Sequence, residues 1–227
     1  MKKVLFMVML CVSLISCTDG EDIKPMVTLS FSQQVVSGSS MTRATTNEFL
    51  DIIEEQTPDC LNVALKNLDL GKTFYCKSNE TITIPIGNYE ISGDKIDGCY
   101  TKTDNLSYYT KPILKIDKFT TKIDNETQSI KLDAYYNCYA LFALTDECKS
   151  CSFTETHGNY YVAYFNGDAN VTLTPYEDSE EFIETTFELS PLANVDYGKY
   201  YVLHPNKSDK TKPSFDFNVG GMEGGEI

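Results

Sequence analysis

Two cysteines separated by two residues form the local motif closest to redox chemistry, Cys148-Lys149-Ser150-Cys151. In disulfide oxidoreductases with this spacing, the first thiol has a lowered pKa because a helix begins beside it. Here the following residues, from Phe153 into a threonine-rich stretch, are typical of a loop or a strand. The sequence therefore predicts a structural pair, with redox catalysis and metal binding as the alternatives.

A zinc site needs four ligands at set spacings, usually cysteines and histidines. Cys148, Cys151 and His157 lie close together, but no fourth ligand follows at such a spacing. The chain has two histidines, His157 and His204, and none of the common nucleophile, phosphate-loop or zinc-protease motifs. We therefore expect no metal, no cofactor and no catalytic residues.

The acidic run Glu177–Glu181 offers carboxylates for glycoside hydrolysis or for a calcium ion. Neighbouring residues on a strand point to opposite faces, however, and the run lacks the spacing of a calcium loop. The pattern favours a solvated loop.

Tyrosines are concentrated in the second half of the chain, where they could stack on sugars. Tyrosines on strands more often belong to the core and its rim, which is the interpretation we favour. The residues are Tyr135, Tyr136, Tyr139, Tyr160, Tyr161, Tyr164, Tyr200 and Tyr201.

The N-terminus has the pattern of a secretory signal. Met1, Lys2 and Lys3 precede an apolar run from Val4 to Ile15, which is too short to span a bilayer as a finished helix. The run ends in Leu14-Ile15-Ser16-Cys17, which resembles the lipobox of bacterial lipoproteins. The resemblance implies cleavage after residue 16 and acylation of Cys17, and several acyl chains make a lasting anchor.

An acidic stretch, Thr18 to Asp22, follows Cys17 directly. It resembles the export signal that sends lipoproteins of Bacteroidetes to the cell surface, and a plain solvated tether is the alternative. We expect an outer-membrane protein that faces the cell surface.

Six further cysteines remain once Cys11 is removed and Cys17 is acylated. An even number outside the cytoplasm permits up to three disulfides, although the chain is large enough to form a core without them. The candidates are Cys60, Cys76, Cys99, Cys138, Cys148 and Cys151.

The chain is strongly acidic, with a formal net charge of −14. Without residues 1–16, which contain two lysines and no acid, the charge is about −16. Such a charge argues against nucleic acid or an anionic lipid surface as a partner. The partners that remain are the membrane through Cys17, other envelope proteins and glycans.

A strand, a linker and a helix come next. Val27, Leu29 and Phe31 alternate as in a half-buried strand. Arg43 lies in a small, polar linker and is the single arginine of the chain, so it is a candidate processing point. Thr45 and Glu48 form a capping box that predicts a helix ending at Gln56, before Thr57-Pro58.

The remaining segments favour strands, because apolar alternation recurs without a helical period. We read Ile82 to Ile86, a Gly87-Asn88 turn and Tyr89 to Ile91 as parts of a meander. The predicted fold is all-β with one short helix, arranged as two tandem β-sandwich units of antiparallel strands. The predicted divisions are a signal peptide (1–16), the lipidated cysteine with tether and first strand (17–44), a first sandwich (45–132) and a second (133–227).

The order of these features resembles Bacteroides surface lipoproteins of uncharacterised function, which are similar in layout to fimbrillins and to fimbrial anchor and accessory proteins. The resemblance implies two β-sandwich units and a non-enzymatic, structural or adhesive role at the cell envelope. Surface glycan binding for nutrient capture is the alternative. The segments on which it rests are Met41–Thr45, Ile84–Tyr89, Gly198–Tyr201 and Phe215–Glu223.

Replacement of the lipid site gives a direct test. We expect Cys17→Ala to prevent acylation, so that the chain stays uncleaved or is released and no longer partitions into the detergent phase. Phase partitioning of cell fractions measures this. A mutant that partitions like the wild type would refute lipidation at Cys17.

Overall fold

The computed structural model describes residues 24–36, 47–94, 100–102, 106–167, 169–175, 185–189, 196–205 and 215–222. The predicted lipid site Cys17, the candidate processing point Arg43, the predicted helix cap Thr45, Cys99 and the acidic run 177–181 lie outside the described residues.

The described residues form one helix and seventeen strands, with helix α1 at Glu48–Gln56. The strands are β1 (Met26–Val35), β2 (Asn62–Asn67), β3 (Thr73–Lys77), β4 (Ile82–Pro85), β5 (Gly87–Asp94), β6 (Tyr100–Lys102), β7 (Ser107–Tyr109), β8 (Leu114–Ile123), β9 (Ser129–Tyr136), β10 (Tyr139–Leu144), β11 (Cys148–Cys151), β12 (Thr156–His157), β13 (Tyr160–Phe165), β14 (Ala169–Pro175), β15 (Thr185–Leu189), β16 (Lys199–Pro205) and β17 (Phe215–Gly221).

The first sheet has seven strands in the order β3-β2-β5-β8-β9-β1-β4. A single residue, Ile86, connects β4 at one edge to β5 in the interior of the sheet. Because three consecutive Cα atoms span at most about 7 Å, the sheet has to curl until the end of β4 approaches the start of β5. The curled sheet encloses fully buried side chains such as Leu29, Leu65 and Ile91.

Strand β1 pairs in two ways along its length. Its first half, from Met26 to Leu29, is antiparallel to β4, and its second half, from Ser30 to Val35, is parallel to β9. The strand therefore lies inside the first sheet rather than beside it.

The second sheet has the order β17-β16-β10-β13-β7-β6, and its central strands β10 and β13 are buried on both faces. Alternate residues of β10 face opposite sides, as the strand period requires. Phe142 belongs to the core shared with the first sheet and α1, whereas Leu141 belongs to a second core. That second core also contains Val171 of the three-stranded sheet β11-β14-β15. The result is a layered, sandwich-like fold.

Helix α1 begins at an asparagine cap, because Asn47 Oδ1 accepts a hydrogen bond from the Phe49 backbone N–H at 3.0 Å. Leu50, Ile52 and Ile53 are buried, as the apolar spacing requires. No helix among the described residues is long and apolar enough to cross a bilayer.

Aromatic rings of the second sheet surround the start of the helix. The ring of Phe49 lies 5.1 Å from Phe142, 5.0 Å from Tyr160 and 5.4 Å from Tyr200, measured between centroids. Such ring pairs are worth about 0.5–1.5 kcal/mol each beyond the area that they bury. Helix α1 thus contacts the second sheet through one central side chain.

Hydroxyl groups of three tyrosines fix the polar ends of the same helix. Tyr160 donates to Glu48 Oε1 at 2.6 Å, and Tyr164 donates to Gln56 Oε1 at 2.6 Å. The hydroxyl of Tyr200 accepts from the Asn47 side-chain amide at 2.6 Å. The helix is therefore held at both ends as well as by its apolar face.

The all-β fold class with one short helix is confirmed, and the sandwich-like layering agrees with the prediction. Two details differ. Gly87-Asn88 is not a hairpin turn, because β4 pairs with β1 whereas β5 pairs with β2 and β8. Two pairs, β1 with β9 and β10 with β16, are parallel, and each joins strands that are far enough apart in the chain for the crossover connection that parallel pairing requires.

The domain boundary at residue 133 stays a prediction. Strand β7, which precedes it, pairs with β13 of the second sheet through Tyr109 and Tyr164, and β6 pairs with β7.

Truncation of the helix contact should be costly. We expect Phe49→Ala to lower the free energy of unfolding by about 2–4 kcal/mol, because the missing ring leaves a cavity among three aromatic side chains. Urea denaturation of the full chain measures it. Tyr75→Ala removes a side chain that is 76% exposed and should change stability by less than about 0.5 kcal/mol. Equal losses for the two variants would contradict a central role for Phe49.

Candidate functional site

The outer face of the first sheet is the broad exposed surface of the described structure. Its side chains alternate with the buried ones along each strand, as in β9, where Ile130 and Leu132 are buried and Lys131 and Asp133 are exposed. We call this surface the outer face. Threonine, serine and lysine are frequent on it, as in Thr28, Ser30 and Thr120.

The outer face has the opposite charge balance to the chain. The chain has a net charge of −14, yet the described strand side chains of this face include six lysines and three acids. A local excess of positive charge gives the face a potential that attracts anionic groups. The lysines are Lys66, Lys77, Lys115, Lys118, Lys122 and Lys131, and the acids are Glu90, Asp117 and Asp133.

Each of the three acids of this face has a partner nearby. Lys118 lies 3.5 Å from Glu90, and Lys131 lies 3.0 Å from Asp133. The hydroxyl of Tyr135 donates to Asp117 at 2.8 Å. Two of the three described acids are therefore paired with lysines, and the other four described lysines of the face outnumber Asp117, so they set the sign of its charge.

An open hollow of about 440 Å³ lies where the turn after β2 meets the outer face. This volume is within the range of small-molecule sites, ~300–1,000 Å³. We call it the Asp69 hollow. Its lining residues are Leu68, Asp69, Asn88, Thr120, Thr121 and Lys122.

The carboxylate of Asp69 is held in a fixed orientation at this hollow. Its Oδ2 accepts from the Asn88 backbone N–H at 3.0 Å, and its Oδ1 accepts from the Asn88 side-chain amide at 3.1 Å. Lys24 lies 3.6 Å from Oδ2. The hydrogen bonds from Asn88, followed by the charge of Lys24, lower the pKa of Asp69, so the group is anionic at neutral pH.

The backbone around Asp69 depends on a glycine. A Cβ at Gly87 would lie 2.6 Å from Asp69 Oδ2 and 3.1 Å from Asn67 Nδ2, so another residue there would displace the carboxylate. Asn67 shapes the turn itself, since its Oδ1 accepts from the backbone N–H groups of Asp69 and Leu70. The position of Asp69 thus follows from local turn chemistry.

The cysteines lie away from the outer face. The described ones, Cys60, Cys76, Cys138, Cys148 and Cys151, are free thiols, so the predicted disulfides are not seen among them.

Burial changes the chemistry of these thiols. It raises the pKa of Cys148 to about 11, with a smaller effect from the charges of Glu147 and Asp146, and it also raises the pKa of Cys151. The residues after Cys151 form a bend rather than a helix. A raised pKa is the opposite of what a redox thiol needs.

His157 does not join these cysteines. Its Nε2 lies 3.0 Å from Glu55 Oε2 of helix α1. Among the described residues, no group of three or more histidine, cysteine or acidic side chains is arranged to hold a metal ion.

The tyrosines considered as a sugar platform mostly lie inside the protein. Six of the eight are buried, and Tyr135 and Tyr161 are partly exposed. The strongly exposed tyrosines among the described residues are Tyr75, Tyr100 and Tyr197.

The sequence interpretation missed the Asp69 hollow. The segment Asn67-Leu68-Asp69-Leu70-Gly71 has the polar and glycine spacing of a tight turn, which was an available signal. Nothing local indicates that this turn meets Asn88 and Lys122, because their contact depends on the order of strands in the sheet.

No protein-family model and no curated protein matches the sequence. Among solved structures, a proposed cell adhesion protein from Bacteroides uniformis is similar over 74% of this chain and 93% of its own, with a TM-score of 0.46 and 12% identity. A fimbrial assembly protein from Parabacteroides distasonis is similar over 89% and 98%, with a TM-score of 0.44 and 14% identity.

The buried thiol of Cys138 gives the fold an alkaline limit. The side chain is fully buried, and burial raises its pKa from 9.0 to about 12. The difference in pKa between the unfolded and the folded chain stabilises the fold fully below pH 9. This stabilisation is lost as the pH rises towards 12, because the thiol ionises at a lower pH in the unfolded chain than in the folded one.

Between pH 8 and pH 10, Cys138 should therefore lower the free energy of unfolding by about 1–2 kcal/mol. We expect Cys138→Ala to remove this part of the pH dependence in urea denaturation. Ile113→Ala is the control, since it opens a cavity beside Cys138 without removing a titrating group. An unchanged pH dependence in Cys138→Ala would show that this thiol ionises normally.

Proposed function

We propose that the chain is a non-enzymatic lipoprotein of the outer membrane, exposed at the cell surface, with a structural or adhesive role of fimbrillin-like type. The observation on which this rests is the outer face, a wide, polar and locally basic surface on an otherwise acidic chain. Lipidation at Cys17, proposed from the lipobox, would hold this face close to the cell. A surface of that kind suits contacts with envelope proteins or glycans.

The rest of the structure supports a scaffold role for the remaining residues. Both faces of the second sheet are used in packing, and the inner face of the first sheet encloses the shared core. The cysteine pair of β11 contributes to the second core. Among the described residues, the outer face is thus a broad surface that the packing of the layers leaves exposed for a partner.

Processing at Arg43 remains part of this proposal. Cleavage there would separate β1 from α1 in the chain, while β1 stays paired with β4 and β9. The body would then be a nicked chain that is still attached through β1.

Glycan binding for nutrient capture is the second candidate. The specific observation in its favour is the Asp69 hollow, in which a fixed carboxylate, an amide, hydroxyls and a lysine line one cavity. Such a mixture of polar groups is suited to a hydroxyl-rich ligand.

Charge reversal on the outer face tests the adhesive role. We expect cells that display a Lys66→Glu, Lys122→Glu, Lys131→Glu variant to attach to surfaces or to each other several-fold less than cells with the wild-type chain, because the face loses its attraction for anionic groups. Attachment is counted after washing, and surface amounts are matched with an antibody.

The matched control reverses three exposed lysines elsewhere, Lys102→Glu, Lys111→Glu and Lys149→Glu, and should leave attachment unchanged. Equal loss of attachment in the two triple variants would show that the net charge of the chain, and not the outer face, determines attachment.

A further inference from the structure

We propose that the Asp69 hollow binds a saccharide that bears a uronic-acid carboxylate. This inference rests on the proposed surface role, and it adds a ligand class and the residues that contact the ligand. The hollow combines two independent features, an open cavity of about 440 Å³ and a position on the locally basic outer face.

The hollow is organised before any ligand arrives. Asp69 and Asn88 hold each other through two hydrogen bonds, and Asn67 fixes the turn beneath them. Side chains that are already ordered lose less conformational entropy on binding, which favours affinity. The space that a Gly87 side chain would take is left to the Asp69 carboxylate.

The lining groups match the parts of a sugar ring. Among the described residues, Asp69 Oδ1 accepts one hydrogen bond and Asn88 Oδ1 accepts none, so both can accept from sugar hydroxyls. The hydroxyl of Thr120 can donate or accept. Leu68 is 47% exposed and offers an apolar wall for the C–H face of the ring.

Charge selects an acidic sugar over a neutral one. Lys122 lines the hollow, and the described strand side chains of the outer face include six lysines and three acids. The charge of Asp69 itself is offset by Lys24 at 3.6 Å. A carboxylate beside Lys122 gains attraction that a neutral sugar lacks, and this attraction falls with salt.

Two disaccharides of the same linkage test the inference, digalacturonic acid and its neutral counterpart α-1,4-galactobiose. We use saturation-transfer NMR with the full chain purified in detergent. We expect digalacturonic acid to bind with a Kd near 1 mM and galactobiose to bind at least five-fold more weakly. Raising the salt to 0.5 M should reduce the difference.

Variants assign the binding to the hollow. Asn88→Ala should weaken digalacturonic acid at least ten-fold, and Lys122→Ala at least three-fold. Lys131→Ala changes a lysine of the same face that lies outside the hollow and pairs with Asp133, so it should have a smaller effect than Lys122→Ala. Thermal unfolding checks each variant, and if Asn88→Ala fails to fold, Thr120→Val takes its place with the same expectation.

Three results would overturn the inference. These are no saturation transfer from either sugar at 10 mM, equal binding of the two sugars, or an equal loss in Lys122→Ala and Lys131→Ala. The proposed adhesive role is tested separately by cell attachment. If cells still attach through the outer face but the purified chain binds neither sugar, the ligand assignment is refuted and the adhesive role is not.

Discussion

The packing of helix α1 against the second sheet is the contact on which the rest of the architecture depends. A helix of nine residues is marginal on its own, so it forms because Leu50, Ile52 and Ile53 are buried and Phe49 enters an aromatic cluster. Its polar ends are satisfied by tyrosine hydroxyls, and a buried hydroxyl left without its partner costs about 1–3 kcal/mol. Because the same helix lies in the core of the first sheet, its loss would open both layers together.

This layered arrangement also explains why many side chains that are reactive by type are buried in the core, whereas the charged side chains lie on the surface. Among the described residues, three of the five thiols and most tyrosines are buried inside the layers, although these are the reactive and sugar-stacking groups by residue type. Burial raises the pKa of Cys138 and of Tyr160, the latter also through its bond to Glu48 and the charge there, so both remain neutral. Charged groups are left to the surface. There the sheet period places lysines on one side of each strand and apolar residues on the other.

The local sequence pattern was enough to predict individual strands and the helix, but not which strands pair with each other. The alternation in Val27, Leu29 and Phe31 predicted β1, and Thr57-Pro58 predicted the end of α1 at Gln56. The parallel pairing of β1 with β9 could not be predicted, because about a hundred residues separate the two strands. The sequence from Ser30 to Val35 does not indicate which strand it will pair with. The sequence around Tyr160 likewise does not indicate its hydrogen bond to Glu48, because only the folded chain places the two residues together. The Asp69 hollow was missed for the same reason, since it is made where the β2 turn, β5 and β8 meet.

The split pairing of β1 has a mechanical consequence for a chain tethered through its N-terminus. A pull on the residues before Pro25 is transmitted along β1, towards both of its neighbours. The ladder hydrogen bonds run across the strand, so tension along β1 loads many of them side by side in shear rather than opening them one at a time. Drag on a body anchored in this way would be borne by the first sheet as a unit. If Cys17 is lipidated as proposed, β1 is the described strand closest to the anchor, and its pairing with both β4 and β9 opposes its removal from the sheet.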